Sequence, residues 1–138
     1  MEEAARVLSY WFDGDSAINY KTKWFPSSSE SLQRDADVAV NNHFGTLFRS
    51  IVISAPNLPI EYEHWTNDKY SCLALIIVVD QFSRHIYRLE ELSSDAIERK
   101  NADLLALELS KSIVQNHSDW IYMQYNIPQF VFALMPYR

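Results

Sequence analysis

With 138 residues and 18 acidic against 12 basic side chains, for a net charge of −6, the chain has the length of one domain, able to bury about two-thirds of its extended surface. It carries no Lys/Arg block that could track a phosphate backbone, and its two glycines, Gly14 and Gly45, leave no glycine-rich loop to wrap a nucleotide. Nucleic-acid binding and Walker- or Rossmann-type nucleotide binding are therefore not expected. One cysteine, Cys72, allows no intrachain disulfide; the start Met1-Glu2-Glu3 is acidic, and the longest apolar run, Leu73 to Val79, is too short for a membrane span. The expectation is a cytoplasmic, membrane-free, single helical domain over 1–138.

From Glu2 to Phe12 the residues Ala5, Leu8, Trp11 and Phe12 recur at helical spacing, and Asp13-Gly14-Asp15 supplies a turn. The aromatic stretch to Pro26, with Tyr20, Trp24 and Phe25, reads as an irregular packed connection. Ser27 followed by Glu30 forms a capping-box pattern that starts a second helix, with Leu32, Ala36, Ala39 or Val40, Phe44 and Leu47 inward and an end near Ile53. Pro56 and Pro59 make Ala55 to Glu63 the longest expected loop.

Thr66 or Asn67 is placed to cap the next element, whose type is open from periodicity alone. Leu73 to Val79 contains four β-branched residues and fits a buried strand as well as a buried helix. No second run of strand character exists to pair with it, and a lone strand cannot satisfy its own backbone groups, so a helix from about Asp68 to Phe82 or beyond is preferred. After Ser93-Ser94 a helix is expected to about Gln115, with Ala102, Leu105, Leu109 and Ile113 on one face. Ser118 is placed to cap a short turn from Trp120 to Tyr125. Ile127-Pro128 opens a last helix with Phe130, Val131 and Leu134 inward.

The densest polar cluster follows the apolar run. A helix continuing through Arg88 puts Asp80, Gln81, Arg84, Tyr87 and Arg88 within about a third of its circumference. Asp80 and Arg84 are spaced to pair, and Arg84 and Arg88 stand one turn apart. Adjacent guanidiniums repel unless an anion lies between them, which suits them to a carboxylate or phosphate. Three readings stay open for this cluster: a structural network, an anion-recognition site at Arg84 and Arg88, and acid–base chemistry at Asp80. His43, His64, His85 and His117 show no metal-ligand spacing with one another or with Cys72, and no metal or cofactor is expected. Cys72 reads as a small buried hydrophobe. Trp24, Phe25 and Trp65 are the aromatics placed to wall a pocket.

Four stretches carry a resemblance to a known family: Val7 to Phe12, Lys23-Trp24-Phe25, the spacing from Asp37 to Phe44-Gly45, and above all Leu73 through Asp80-Gln81-Phe82 to Arg88. Together they resemble the family of domains of unknown function numbered nine hundred and twenty-four. The resemblance implies an all-α fold, an array of about five to six antiparallel helices similar to tetratricopeptide-repeat proteins, and it favours helix over strand for Leu73 to Val79. It implies no activity. The family has Pro-Arg-Asn where this chain has Ser83-Arg84-His85, and of a later Ala-Phe-and-Asp pattern only Asp103 is matched. The family pattern also continues past a segment like Leu134-Met135-Pro136, so C-terminal helices are expected to be missing beyond Arg138 or supplied by a partner chain.

The leading expectation is a non-enzymatic binding domain whose ligand is an anionic group on a peptide, protein or small molecule, held by Arg84, Arg88, Gln81, Asp80, Tyr87 and Trp24. The alternatives are a hydrolase using Asp80 with a histidine beyond Arg138, and an assembly subunit whose polar cluster is purely structural.

Overall fold

In the computed structural model, which describes residues 2–90 and 96–138, all regular structure among the described residues is helical, without a strand. Helix α1 spans Glu2–Phe12; α2 runs Ser16–Asn19 and continues through a π-helical turn, Tyr20–Trp24; α3 spans Glu30–Val52. A 3-10 helix, Ile60–Asn67, leads into α4, which comprises Lys69–Ile76, a π-helical turn Ile77–Phe82, and Ser83–Leu89. Helix α5 is Ala96–Asn116, α6 is the π-helical Trp120–Gln124, and α7 is Ile127–Leu134, closed by a 3-10 turn Met135–Tyr137. Counting contiguous pieces together gives eight helical segments rather than five or six. Their unequal lengths show no fixed period, and the tetratricopeptide-like stacking is not confirmed.

Helix α4 is the axis of the core. Every residue from Ser71 to Ser83 is buried, and Leu73 through Val79 expose nothing. The β-branched residues Ile76, Ile77, Val78 and Val79 each cost up to about 0.5 kcal/mol of helix propensity. Burying each side chain returns about 1.5–3 kcal/mol, so burial decides the element type and the run is a helix. A helix apolar all round must be surrounded. Helices α1 and α7 pack against its first part, α3 against its second half, and α5 along its middle.

Helix α1 turns Ala4, Val7 and Trp11 inward and leaves Ala5 exposed, a rotation of about one position from the expected stripe. The stretch before Pro26 is helical rather than irregular because Asp15 caps it, accepting from the amides of Ala17 and Ile18. The cap of α3 is Ser29, whose Oγ accepts from Leu32 N at 3.1 Å; Glu30 is already the first helical residue, so the box expected from Ser27 does not form. Asp68, not Thr66 or Asn67, caps α4 through the amide of Ser71 at 3.0 Å. The expected loop at 55–63 gives way to 3-10 helix at Ile60, and Trp65 at its far end is core, packed edge-on to Tyr62. In α5 the face Ala102, Leu105, Leu109, Ile113 is buried as expected; Ser93 and Ser94 lie outside the described residues. Ser118 is itself helical, and Trp120 N donates to His117 O instead. In α7 the reciprocal box Asn126/Gln129 sets the start, and the inward residues are Phe132 and Ala133, with Phe130 and Val131 exposed. No helix among the described residues is long and apolar enough to cross a membrane.

Candidate functional site

The π-helical turn at Ile77–Phe82 adds one residue to a helical turn at the point where apolar sequence becomes polar, a distortion frequent at functional sites. It delivers Asp80 and Gln81 into the interior, where they are 2% and 5% exposed. Arg84 and Arg88, one turn apart on the following segment, stay on the surface side.

Two buried carboxylates organise this surface. Asp37, from α3, accepts three hydrogen bonds on its Oδ1: from Gln33 Nε2 at 2.9 Å, His85 Nδ1 at 2.7 Å and Arg88 Nη1 at 2.9 Å. Burial pushes this carboxyl's pKa up, and the bonds from His85, Arg88 and Gln33, with the Arg88 charge, outweigh it, so the net shift is downward. Asp37 is therefore ionised at neutral pH and only accepts. The Nδ1 of His85 must then be the donor in this bond. The second carboxylate, Asp80, accepts on Oδ2 from Gln81 Nε2 at 2.8 Å and from Arg138 Nη1 at 2.9 Å. Its expected partner Arg84 approaches only to 3.7 Å, and Arg84 reaches Asp103 at 3.8 Å. Both are ion pairs beyond hydrogen-bond length, so the Arg84 guanidinium, nearly half exposed, has donors left for another acceptor.

Beside these groups lies a cleft of about 320 Å³ between the end of α2, α3, α4 and the C-terminal turn. Trp24, Phe25 and Pro26 form one wall; Arg84, Arg88 and Arg138 contribute three guanidiniums; Gln81 and His85 also line it, and no Asp or Glu does. The Trp24 ring is fixed by donation of its Nε1 to Trp11 O at 2.9 Å and by edge-on packing with Phe132 at 5.1 Å. Four of the six residues expected at the site, Arg84, Arg88, Gln81 and Trp24, thus meet here.

The other two do not. Asp80 borders a separate cleft with Lys100, Asp103 and Leu104, and Tyr87 turns toward α5, donating to Glu98 at 2.9 Å. Burial, then Glu98, raises the Tyr87 hydroxyl's pKa and keeps it protonated. The face drawn for a regular helix splits because the π turn and the buried carboxylates hold its members at different depths. Gln81 and Arg138 both bond the Oδ2 of Asp80, so this buried carboxylate anchors side chains from α4 and from the C-terminal turn. Residues missing from the expected site are Arg138, His85 and Asp37. The spacing resemblance at Asp37 was the available signal, since two of its three partners stand 48 and 51 residues away. Cys72 is buried, and burial together with the Asp68 charge pushes its thiol up to about 12, so it behaves as the small hydrophobe expected. Among the described residues no cluster of three His, Cys, Asp or Glu could hold a metal ion.

An all-helical core with a buried, π-distorted central helix, two interior carboxylates and an arginine-lined cleft defines the class of this protein by its architecture. The chain belongs to the family DUF924, described as bacterial protein of unknown function, whose model matches residues 7–138. That match does not bear out the expected loss of C-terminal helices. Comparison with curated proteins and with solved structures found no match.

Proposed function

We propose that the protein is a binding domain for an anionic group, carried by a small molecule or the end of a peptide and seated in the cleft between Trp24 and the three arginines. The observation that carries this reading is the lining: Arg84, Arg88 and Arg138 converge on a concave, aromatic-walled space to which no carboxylate contributes. The carboxylates that balance Arg88 and Arg138, Asp37 and Asp80, are themselves buried and hold one nitrogen of each. Each guanidinium has five N–H donors in a fork that suits carboxylate or phosphate, and one bonded nitrogen does not exhaust them. Arg84 adds a guanidinium with no hydrogen bond among the described residues. Trp24 and Phe25 supply apolar surface for whatever carries the anion. Calorimetric titration of acidic peptides and phosphate compounds against the wild-type protein and Arg84→Ala tests the reading. Loss of one charge-assisted pair is expected to weaken binding by about tenfold. Affinity equal in the two proteins would sink it.

A further inference from the structure

The smaller cleft beside Asp80, of about 200 Å³, shares two of its walls with the arginine cleft: Arg84 and Arg138 line both. The two spaces therefore adjoin across one pair of guanidiniums. Asp80 holds that pair together, since its Oδ2 accepts from Arg138 at 2.9 Å and its Oδ1 lies 3.7 Å from Arg84. One carboxylate cannot neutralise two guanidiniums, and each has N–H donors beyond those it uses here. Positive charge continues past the divide. Lys100, exposed on α5, lines the smaller cleft and has no hydrogen bond or ion pair among the described residues. The carboxylate that opposes it there, Asp103, has a side chain 58% exposed and stands 3.8 Å from Arg84, a pair that water and salt screen. Arg88 thus belongs to the first cleft, Arg84 and Arg138 to both, and Lys100 to the second.

We infer that the ligand carries two anionic groups on one short linker, one seated against Arg88 and the Trp24 wall and the other against Lys100, with the Arg84 and Arg138 guanidiniums between them. This rests on the anion-binding reading above and gives it a ligand class. Two separate anions, one in each cleft, would compete for the shared pair and repel each other. In a linked dianion that repulsion is already present in the free ligand, and the second contact becomes intramolecular. Size agrees: small-molecule sites span about 300–1,000 Å³, so each cleft alone is at or below the lower end, and the joined clefts fall inside the range. An oligophosphate and a dicarboxylate are the two sources of this chemistry.

The test is calorimetric titration at constant ionic strength with inorganic phosphate against tripolyphosphate, and with acetate against glutarate. The proteins are the wild type, Lys100→Gln and Lys111→Gln. Lys111 lies on the same helix, pairs with Glu108 and lines neither cleft, so its replacement removes the same charge and reports only the general field. The wild type is expected to bind the linked probe of at least one series about tenfold or more tightly than its single-group counterpart, and the series that shows the gain names the source. In Lys100→Gln that ratio should fall to about threefold or less, with the single-group affinity within about twofold of the wild type, while Lys111→Gln keeps the wild-type ratio. A ratio near one in both series, or equal losses in the two lysine variants, overturns the inference and leaves the arginine cleft standing. Failure of every probe to bind overturns the cleft reading and the inference with it.

Discussion

Asp37 shows how much of the site hangs on single atoms. Three donors from two helices end on its Oδ1, so replacing the carboxylate leaves a buried imidazole and a guanidinium without their acceptor. Arg88 is half exposed and can turn to water, whereas His85 cannot. Asp37→Asn is accordingly expected to cost about 3 kcal/mol at neutral pH, most of it from the buried pair. The same residue sets a pH dependence. Its folded pKa lies below the ordinary carboxylate value, so its contribution is present above the unfolded pKa of about 3.9 and is lost as pH falls through the folded value. Urea midpoints of wild type and Asp37→Asn should therefore be far apart at pH 7 and draw together below about pH 4. A gap that stays constant across that range would show that the carboxylate charge is not what the pair provides.

At the scale of elements, the sequence was most informative where one physical term dominated. In α5 an amphipathic stripe and its burial agree residue for residue. The type of α4 was legible for another reason: a single apolar run without a strand partner favours a helix over a strand that could not satisfy its own backbone groups. Caps were less legible, since Ser27, Ser29, Thr66, Asn67 and Asp68 are all residues that can accept an amide, and the choice among them depends on where the chain enters the core. The π turns were not legible. They arise where a packed helix must accommodate one extra residue, and no local residue pattern marks that. The inward face of α7 was misread because Phe130 and Val131 are apolar but end beside solvent. The cap assignment gives a direct check on this argument. Asp68 Oδ2 accepts from both the amide and the hydroxyl of Ser71, at 3.0 and 3.1 Å, at the head of the most buried helix. Asp68→Ala should lower stability by about 1 kcal/mol, while Asn67→Ala, one position earlier, should change it by only a few tenths. Equal losses in chemical denaturation would mean that the cap is shared between the two positions.

Across the whole molecule, polar ties join parts of the chain that no local pattern connects. Tyr125 donates to Lys69 O at 2.6 Å, Ser110 to Ala133 O at 2.6 Å, and Arg138 to Asp80 across 58 residues of sequence. The last of these completes the candidate cleft, which is why the site could be read only as a two-arginine face before the fold was known: its third arginine arrives from the other end of the chain. Arg138 is therefore expected to couple energetically to the middle of α4. Its guanidinium is partly exposed, and that exposure discounts the pair, but Asp80 is buried and keeps only Gln81 as a hydrogen-bonded partner when Arg138 is removed. A double-mutant cycle with Asp80→Asn and Arg138→Ala should give a coupling of about 1 kcal/mol in urea denaturation. Additive losses, to within about 0.3 kcal/mol, would mean that Arg138 lies against Asp80 without stabilising it. Its place in the cleft would then depend on the backbone of the C-terminal turn alone, through the bond from its own guanidinium to Met135 O at 2.8 Å.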